Sequence, residues 1–211
     1  MRFLIIDDHP VIRKGLIYVI TSEPDYAASH FDEAGTAAEG LNQLHTNHYD
    51  MVLLDISLPD RSGLEVLTQL HQEKPSLPVL VMSIHAESLY AIRTLKAGAA
   101  GYITKTSAVH NLISAIESIR KTGKYISPNV SLLLADEVGA GRRLHAKPHE
   151  LLSNREMEVA RLITSGIPTR VIAEQLHLSI KTINTHRSER ANGVCSASTN
   201  SMIFPCSCSA I

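Results

Sequence analysis

Met1-Arg2-Phe3-Leu4-Ile5-Ile6-Asp7-Asp8 opens the chain with an apolar run of strand length that ends on two carboxylates. The same pattern returns three times. Met51-Val52-Leu53-Leu54 ends on Asp55, Val79-Leu80-Val81-Met82 on Ser83, and Gly101-Tyr102-Ile103-Thr104 on Lys105. Helical periodicity fills the intervals. Val11, Ile12, Leu16, Val19 and Ile20 form one apolar face, opened by Pro10, a residue suited to a first helical turn. Leu41 and Leu44 mark a weak helix between Thr36 and His45. Leu64, Val66, Leu67 and Leu70 mark a third, ended by Pro75 and Pro78. Leu89, Ile92 and Leu95 mark a fourth, stopped at Gly98, and Val109, Leu112, Ile113, Ile116 and Ile119 form the cleanest stripe. Strand and helix in strict turn predict right-handed βαβ units around a parallel sheet.

In such a sheet, sites are built at the carboxyl ends of the strands. A single Asp after a strand is ordinary turn chemistry. Here four strand ends direct three acids, a hydroxyl and an ammonium to one place. Hard carboxylate oxygens suit Mg²⁺, which needs one or two of them beside substrate phosphate. An aspartate can attack phosphorus to give an aspartyl-phosphate, and a hydroxyl and a lysine can bind the equatorial oxygens as charge develops.

Asp7, Asp8, Asp55, Ser83 and Lys105, in that order and context, resemble the receiver domain of two-component response regulators over about residues 1–120. The resemblance implies a doubly wound, five-stranded, flavodoxin-like domain. It implies Asp55 as the phosphoacceptor, Asp8 as a direct Mg²⁺ ligand, Asp7 as a ligand through water, and Ser57 as a ligand through its backbone carbonyl. Ser83 and Lys105 would bind the phosphoryl group, and Tyr102 would be the aromatic whose rotamer follows phosphorylation. Leu58-Pro59-Asp60 and Gly63 resemble the loop behind the phosphoacceptor.

Composition bounds the alternatives. The chain has 211 residues and a net charge of −1, so attraction to nucleic acid must come from a local patch. No apolar run is long enough to span a membrane, and acids follow the N-terminus too soon for a secretory signal, which predicts a cytoplasmic protein. Cys195, Cys206 and Cys208 all lie near the C-terminus, which argues against a fold built on disulfides. The eleven His show neither a HExxH pair nor Cys/His ligand spacing, and neither GxGxxG nor GxxxxGK[ST] is present.

Gly123, Pro128, Gly139, Gly141 and Pro148 interrupt residues 121–148, which read as a linker with a short helix over Ser131–Val138. Residues 149–211 then turn purely helical. Ser153-Asn154-Arg155-Glu156 is a capping box for a helix that closes at Gly166. Thr169 can cap a second helix carrying Val171, Ile172, Ala173 and Leu176, and Ser179 a third beginning Ile180-Lys181-Thr182-Ile183. This is a helix-turn-helix outline. With Leu178 to His186 it resembles the LuxR-type DNA-binding domain, and the whole chain resembles a NarL/FixJ-family response regulator. That resemblance implies a histidine kinase and DNA as partners and a homodimer on activation. Asn184, Thr185 and Ser188 would approach base edges, while Lys181, Thr182 and Arg187 would hold phosphates.

From about residue 189 the chain departs from the family. Glu189-Arg190-Ala191-Asn192-Gly193 stands where an apolar contact and a final amphipathic helix are usual. A rival function is therefore a receiver with a defective output domain that acts only by protein interaction or as a phosphate sink. A second rival, a haloacid-dehalogenase-like phosphatase, requires a second Asp two residues after the nucleophile, and Ser57 occupies that position.

Overall fold

The computed structural model describes residues 1–139, 159, 162–163, 165–175 and 179–184. Five strands, β1 (Arg2–Ile6), β2 (His30–Ala34), β3 (Met51–Asp55), β4 (Val79–Ser83) and β5 (Gly101–Thr104), pair in parallel in the order β2-β1-β3-β4-β5. Between them run α1 (Pro10–Thr21), α2 (Ala37–Thr46), α3 (Gly63–Glu73) and α4 (Glu87–Lys96), and α5 (Ala108–Thr122) follows β5. Strand order reverses at β1, so a crevice opens beyond the carboxyl ends of β1 and β3.

Period-two alternation divides the strand side chains between two covered faces. Phe3, Ile5, Met51, Leu53, Leu80, Met82 and Ile103 share one buried cluster with Leu16 and Ile20 of α1 and Leu112, Ile116 and Ile119 of α5. Leu4, Ile6, Val52, Leu54, Val79 and Val81 are equally buried, and Ile6 meets Gly40 of α2 on the opposite face. Every residue of β3 and β4 is buried. β2 is the least buried of the five, with Ala34 alone fully buried, as suits an edge strand carrying Asp32 and Glu33.

The stretch expected to be a linker begins as part of this first unit. After α5 ends at Gly123, the Tyr125 N–H donates to the Ala100 carbonyl at 2.8 Å, and Lys124 Nζ donates to the Ala99 carbonyl at 2.7 Å. Ser127 Oγ accepts from the Val130 N–H at 3.2 Å, so α6 (Pro128–Gly139) starts at Pro128 rather than at Ser131. Val130 is buried, and Glu137 pairs with Lys96 of α4. The first compact unit runs over Met1–Leu144 and the second over His145–Ile211.

In the second unit, Val159, Ile172, Ala173 and Ile183 form a buried cluster, with Leu162, Ile163 and Ile167 packed on it. The helix ending before Gly166 closes as expected: Gly166 takes φ +76°, where a side chain would be strained, and the Ile167 N–H reaches back to the Leu162 carbonyl at 3.2 Å. Helix α7 (Thr169–Gln175) takes Thr169 into its first turn, and the Ile172 N–H bonds to the Pro168 carbonyl. Ser179 does cap the next helix: its Oγ accepts from the Thr182 N–H at 3.0 Å, and residues 180–184 are helical. The expected capping box at Ser153, the residue Leu176 and the tail from about 189 lie outside the described residues.

Candidate functional site

The structure brings Asp7, Asp8, Asp55 and Lys105 together beyond β1, β3 and β5. Lys105 Nζ lies 2.7 Å from Asp7 Oδ2 and 2.7 Å from Asp55 Oδ2, with all three side chains at most 7% exposed. One ammonium thus serves two buried carboxylates. Asp8 stands nearer solvent, its side chain 34% exposed. His9, absent from the sequence-based set, joins the group. Its Nδ1 is 2.6 Å from Asp8 Oδ1 and 3.2 Å from Asp7 Oδ1, and its N–H donates to Asp7 Oδ1 at 2.9 Å.

Burial pushes the Asp55 carboxyl up to about 6, with the Asp7 charge adding to it, although the Lys105 ammonium works against the shift. Burial also opposes the charge on Lys105, but Asp55 and Asp7 together hold its pKa above the usual range. Ligand atoms of Asp7, Asp8, His9 and Asp55 lie within 4.8 Å of one another. Three hard carboxylates around a single lysine leave excess negative charge, and this donor set fits a small oxygen-seeking dication such as Mg²⁺.

The loop after β3 is folded back on the site. The Gly63 N–H donates to the Ile56 carbonyl at 2.8 Å, and a Cβ on Gly63 would stand 2.0 Å from the Asp55 carbonyl oxygen, so any side chain would force the loop away. The Ser57 N–H donates to Asp55 Oδ1 at 3.2 Å. Asp60 anchors the far side of the loop. Its two carboxylate oxygens accept from the Ala37 and Ala38 N–H groups at 2.9 Å each, capping α2. Partial burial opposes the charge there, and these backbone donors hold the Asp60 pKa below the usual carboxylate range. This contact joins residues 22 and 23 positions apart, so local sequence pattern carries no sign of it.

Ser83 ends β4 fully buried, and its Oγ accepts from the His85 N–H at 3.1 Å. Tyr102 lies inward, 1% exposed, and its hydroxyl donates to the His85 carbonyl at 2.8 Å. Burial raises the Tyr102 pKa well above the ordinary phenol value. The His85 ring stacks on Tyr90 with centroids 4.8 Å apart. His85 is thus a link between Ser83, Tyr102 and α4 that the sequence reading did not single out.

In the second unit the helix over residues 180–184 buries Ile183 and leaves Lys181 and Asn184 exposed, with Thr182 half-buried. Those three are the described members of the expected DNA-contacting set. Thr185, Arg187 and Ser188 lie outside the described residues.

Comparison with known proteins places both units. The family model for the response regulator receiver domain matches residues 3–117, and that for bacterial regulatory proteins of the luxR family matches residues 150–191. The transcriptional regulatory protein DegU of Brevibacillus brevis is 33% identical over 202 residues, covering 89% of this chain and 85% of the relative. The response regulator UvrY of Escherichia coli is 30% identical over 187 residues, covering 89% and 84%. Among solved structures, RcsB from Salmonella enterica serovar Typhimurium, bound to a promoter in the presence of a phosphomimetic, matches with a TM-score of 0.62 at 25% identity over 92% of each chain. A LuxR-family two-component response regulator from Aurantimonas sp. matches with a TM-score of 0.58 at 31% identity, over 65% of this chain and 97% of that one. With its strand-end acids, its β2-β1-β3-β4-β5 sheet and its helical second unit, the chain belongs to the NarL/FixJ family of two-component response regulators, a receiver domain followed by a LuxR-type DNA-binding domain.

Proposed function

We propose that this chain is a cytoplasmic transcriptional regulator that accepts a phosphoryl group on Asp55 from a sensor histidine kinase and binds DNA as a homodimer when phosphorylated. The observation that carries this reading is the shared ammonium, Lys105 Nζ at 2.7 Å from both Asp7 and Asp55, with Asp8 beside them at the strand ends. Asp7, Asp8 and Asp55, with the Ser57 carbonyl, would hold Mg²⁺, which when bound offsets the charge of the entering phosphoryl group.

An Asp55 carboxylate oxygen forms the bond to phosphorus as the donor's phosphorus–nitrogen bond breaks, and the donor imidazole keeps that electron pair. With its pKa near 6, Asp55 is mostly ionised at neutral pH and available as nucleophile. Lys105 and Ser83 bind the phosphoryl oxygens, and Tyr102 follows the position of Ser83. Turnover is not part of this role, so we read the chain as a regulator rather than an enzyme. Incubation with a small-molecule phosphodonor and Mg²⁺ is expected to add one base-labile phosphoryl group by mass, and Asp55→Asn to abolish it. Persistent labelling of the variant would remove Asp55 from the mechanism.

For the output, the supporting relatives are RcsB structures, including one of two RcsB dimers bound to two parallel DNAs. Lys181, Thr182 and Arg187 would hold phosphates, and Asn184, Thr185 and Ser188 would read bases. Lys181→Ala is expected to weaken binding to all sequences alike and to lower the salt slope by about one. Asn184→Ala is expected to cost about 1–3 kcal/mol and relax one base position. Salt-titrated gel shifts on matched and mismatched operators separate the two, and sequence-selective loss in Lys181→Ala would reverse the assignments.

A further inference from the structure

Asp7 carries its carboxylate into the site, but its main chain is held from outside it. The Asp7 N–H donates to the Ala34 carbonyl of β2 at 3.1 Å, and the Asp7 carbonyl accepts from Arg13 Nη1 of α1 at 2.6 Å. The same guanidinium donates through Nε to Glu33 Oε2 at 2.9 Å, where Arg13 is 15% and Glu33 24% exposed. Lys14 Nζ takes the other Glu33 oxygen at 2.5 Å. The Lys14 hydrogen bond, against some burial and with help from Arg13, holds the Glu33 pKa below the usual carboxylate range. Arg13 is therefore clamped by a carboxylate that stays ionised, with its fork directed at one peptide.

That peptide joins Asp7 to Asp8. Its plane sets the direction in which the next residue leaves the strand, so fixing the Asp7 carbonyl fixes where the Asp8 side chain can start. A lysine has a single ammonium and cannot reproduce two directed bonds from one rigid plane. The geometry points to Arg13 as a positioning residue for metal binding: it orients the Asp7–Asp8 peptide so that both carboxylates meet one cation, without touching that cation. This rests on the reading of Asp7 and Asp8 as Mg²⁺ ligands. Groups that orient ligands from the next layer out typically carry 10–100-fold in metal affinity.

The test is calorimetric titration of the full chain with Mg²⁺, together with the Mg²⁺ dependence of phosphorylation by a small phosphodonor. Arg13→Gln is expected to weaken Mg²⁺ binding about tenfold and raise the half-saturating concentration in parallel, with the maximal rate within about twofold of the parent. Arg13→Lys, which keeps the charge and is the safer variant for folding, is expected to weaken binding about threefold, since it loses only the second bond. Circular dichroism establishes that each variant is folded. Asp8→Asn serves as the ligand control. If Asp8→Asn loses Mg²⁺ binding while the folded Arg13 variants retain it within twofold, the positioning role is wrong and the metal site stands. If Arg13→Lys restores parent affinity in full, charge rather than orientation is responsible and the inference is overturned. If Asp8→Asn binds Mg²⁺ as the parent does, the metal reading itself fails, and the inference with it.

Discussion

The two ends of the receiver sheet carry the same kinds of side chain under opposite conditions. At the amino end, Arg2 pairs with Asp32 at 2.8 Å, and its N–H meets Asp50 at 2.7 Å, with the Arg2 and Asp32 side chains 41% and 36% exposed. At the carboxyl end, Lys105 meets Asp7 and Asp55 with at most 7% exposure. The shifts follow the setting. Slight burial opposes the Asp32 charge, but Arg2 wins and lowers its pKa, whereas burial dominates Asp55 and raises it to about 6. An ion pair in water needs no further partner. Buried carboxylates outnumbering their ammonium do, and the acids at the carboxyl end are compatible with a cation as that partner.

The largest effect expected from this contrast is at Lys105. Lys105→Met leaves Asp7 and Asp55 buried without a counter-charge and should cost about 3–5 kcal/mol at pH 7. Urea denaturation of the variant at pH 7 and pH 5 checks this, with a smaller loss at pH 5 because Asp55 then takes a proton. An equal loss at both values would mean that the lysine acts through packing.

Asp55→Asn should have the opposite sign. The folded pKa near 6 lies above the ordinary 3.8, so folding takes up a proton between those values. The resulting stability is fully present below 3.8 and is lost as pH rises through 6. Replacing the acid should therefore stabilise the metal-free chain at pH 7 by about 1 kcal/mol, read from the shift in denaturation midpoint.

At the exposed end, Asp32→Asn should cost no more than about 1 kcal/mol, and less in high salt. Because the Asp32 pKa is lowered, its contribution is present above the ordinary value and lost as pH falls through the folded one, the reverse of Asp55. A loss at Asp32 as large as that at Lys105 would erase the distinction between the two ends.

The site was legible in the sequence where it coincided with the ends of buried apolar runs. Asp7, Asp8, Asp55, Ser83 and Lys105 close strands whose hydrophobicity names them. β2 was not legible from its own residues, because Asp32 and Glu33 interrupt its apolar pattern. It holds its place at the edge through pairing with β1 and through Arg2, Arg13 and Lys14, contacts between residues 19–30 positions apart. Asp60 capping α2 was hidden for the same reason. His9 was within reach, since it follows Asp8 directly, but a count of His–His and Cys–His spacings passes over a lone imidazole beside acids. α6 was recognisable as a helix. The burial of Val130 and the pairing of Glu137 with Lys96 of α4 depend on tertiary contacts that its own periodicity does not encode. In the second unit, Gly166 and Ser179 did what their residue types predict, because caps are local chemistry.

If the carboxyl end of the sheet holds more negative charge than its lysine can satisfy, a cation should complete it. Thermal unfolding of the full chain and of Asp55→Asn, each with and without excess Mg²⁺ at pH 7, tests it most directly. Mg²⁺ is expected to raise the melting temperature of the parent, and Asp55→Asn to start higher without Mg²⁺ and gain less from it. A parent indifferent to Mg²⁺, or an Asp55→Asn variant that melts lower than the parent in its absence, would contradict it.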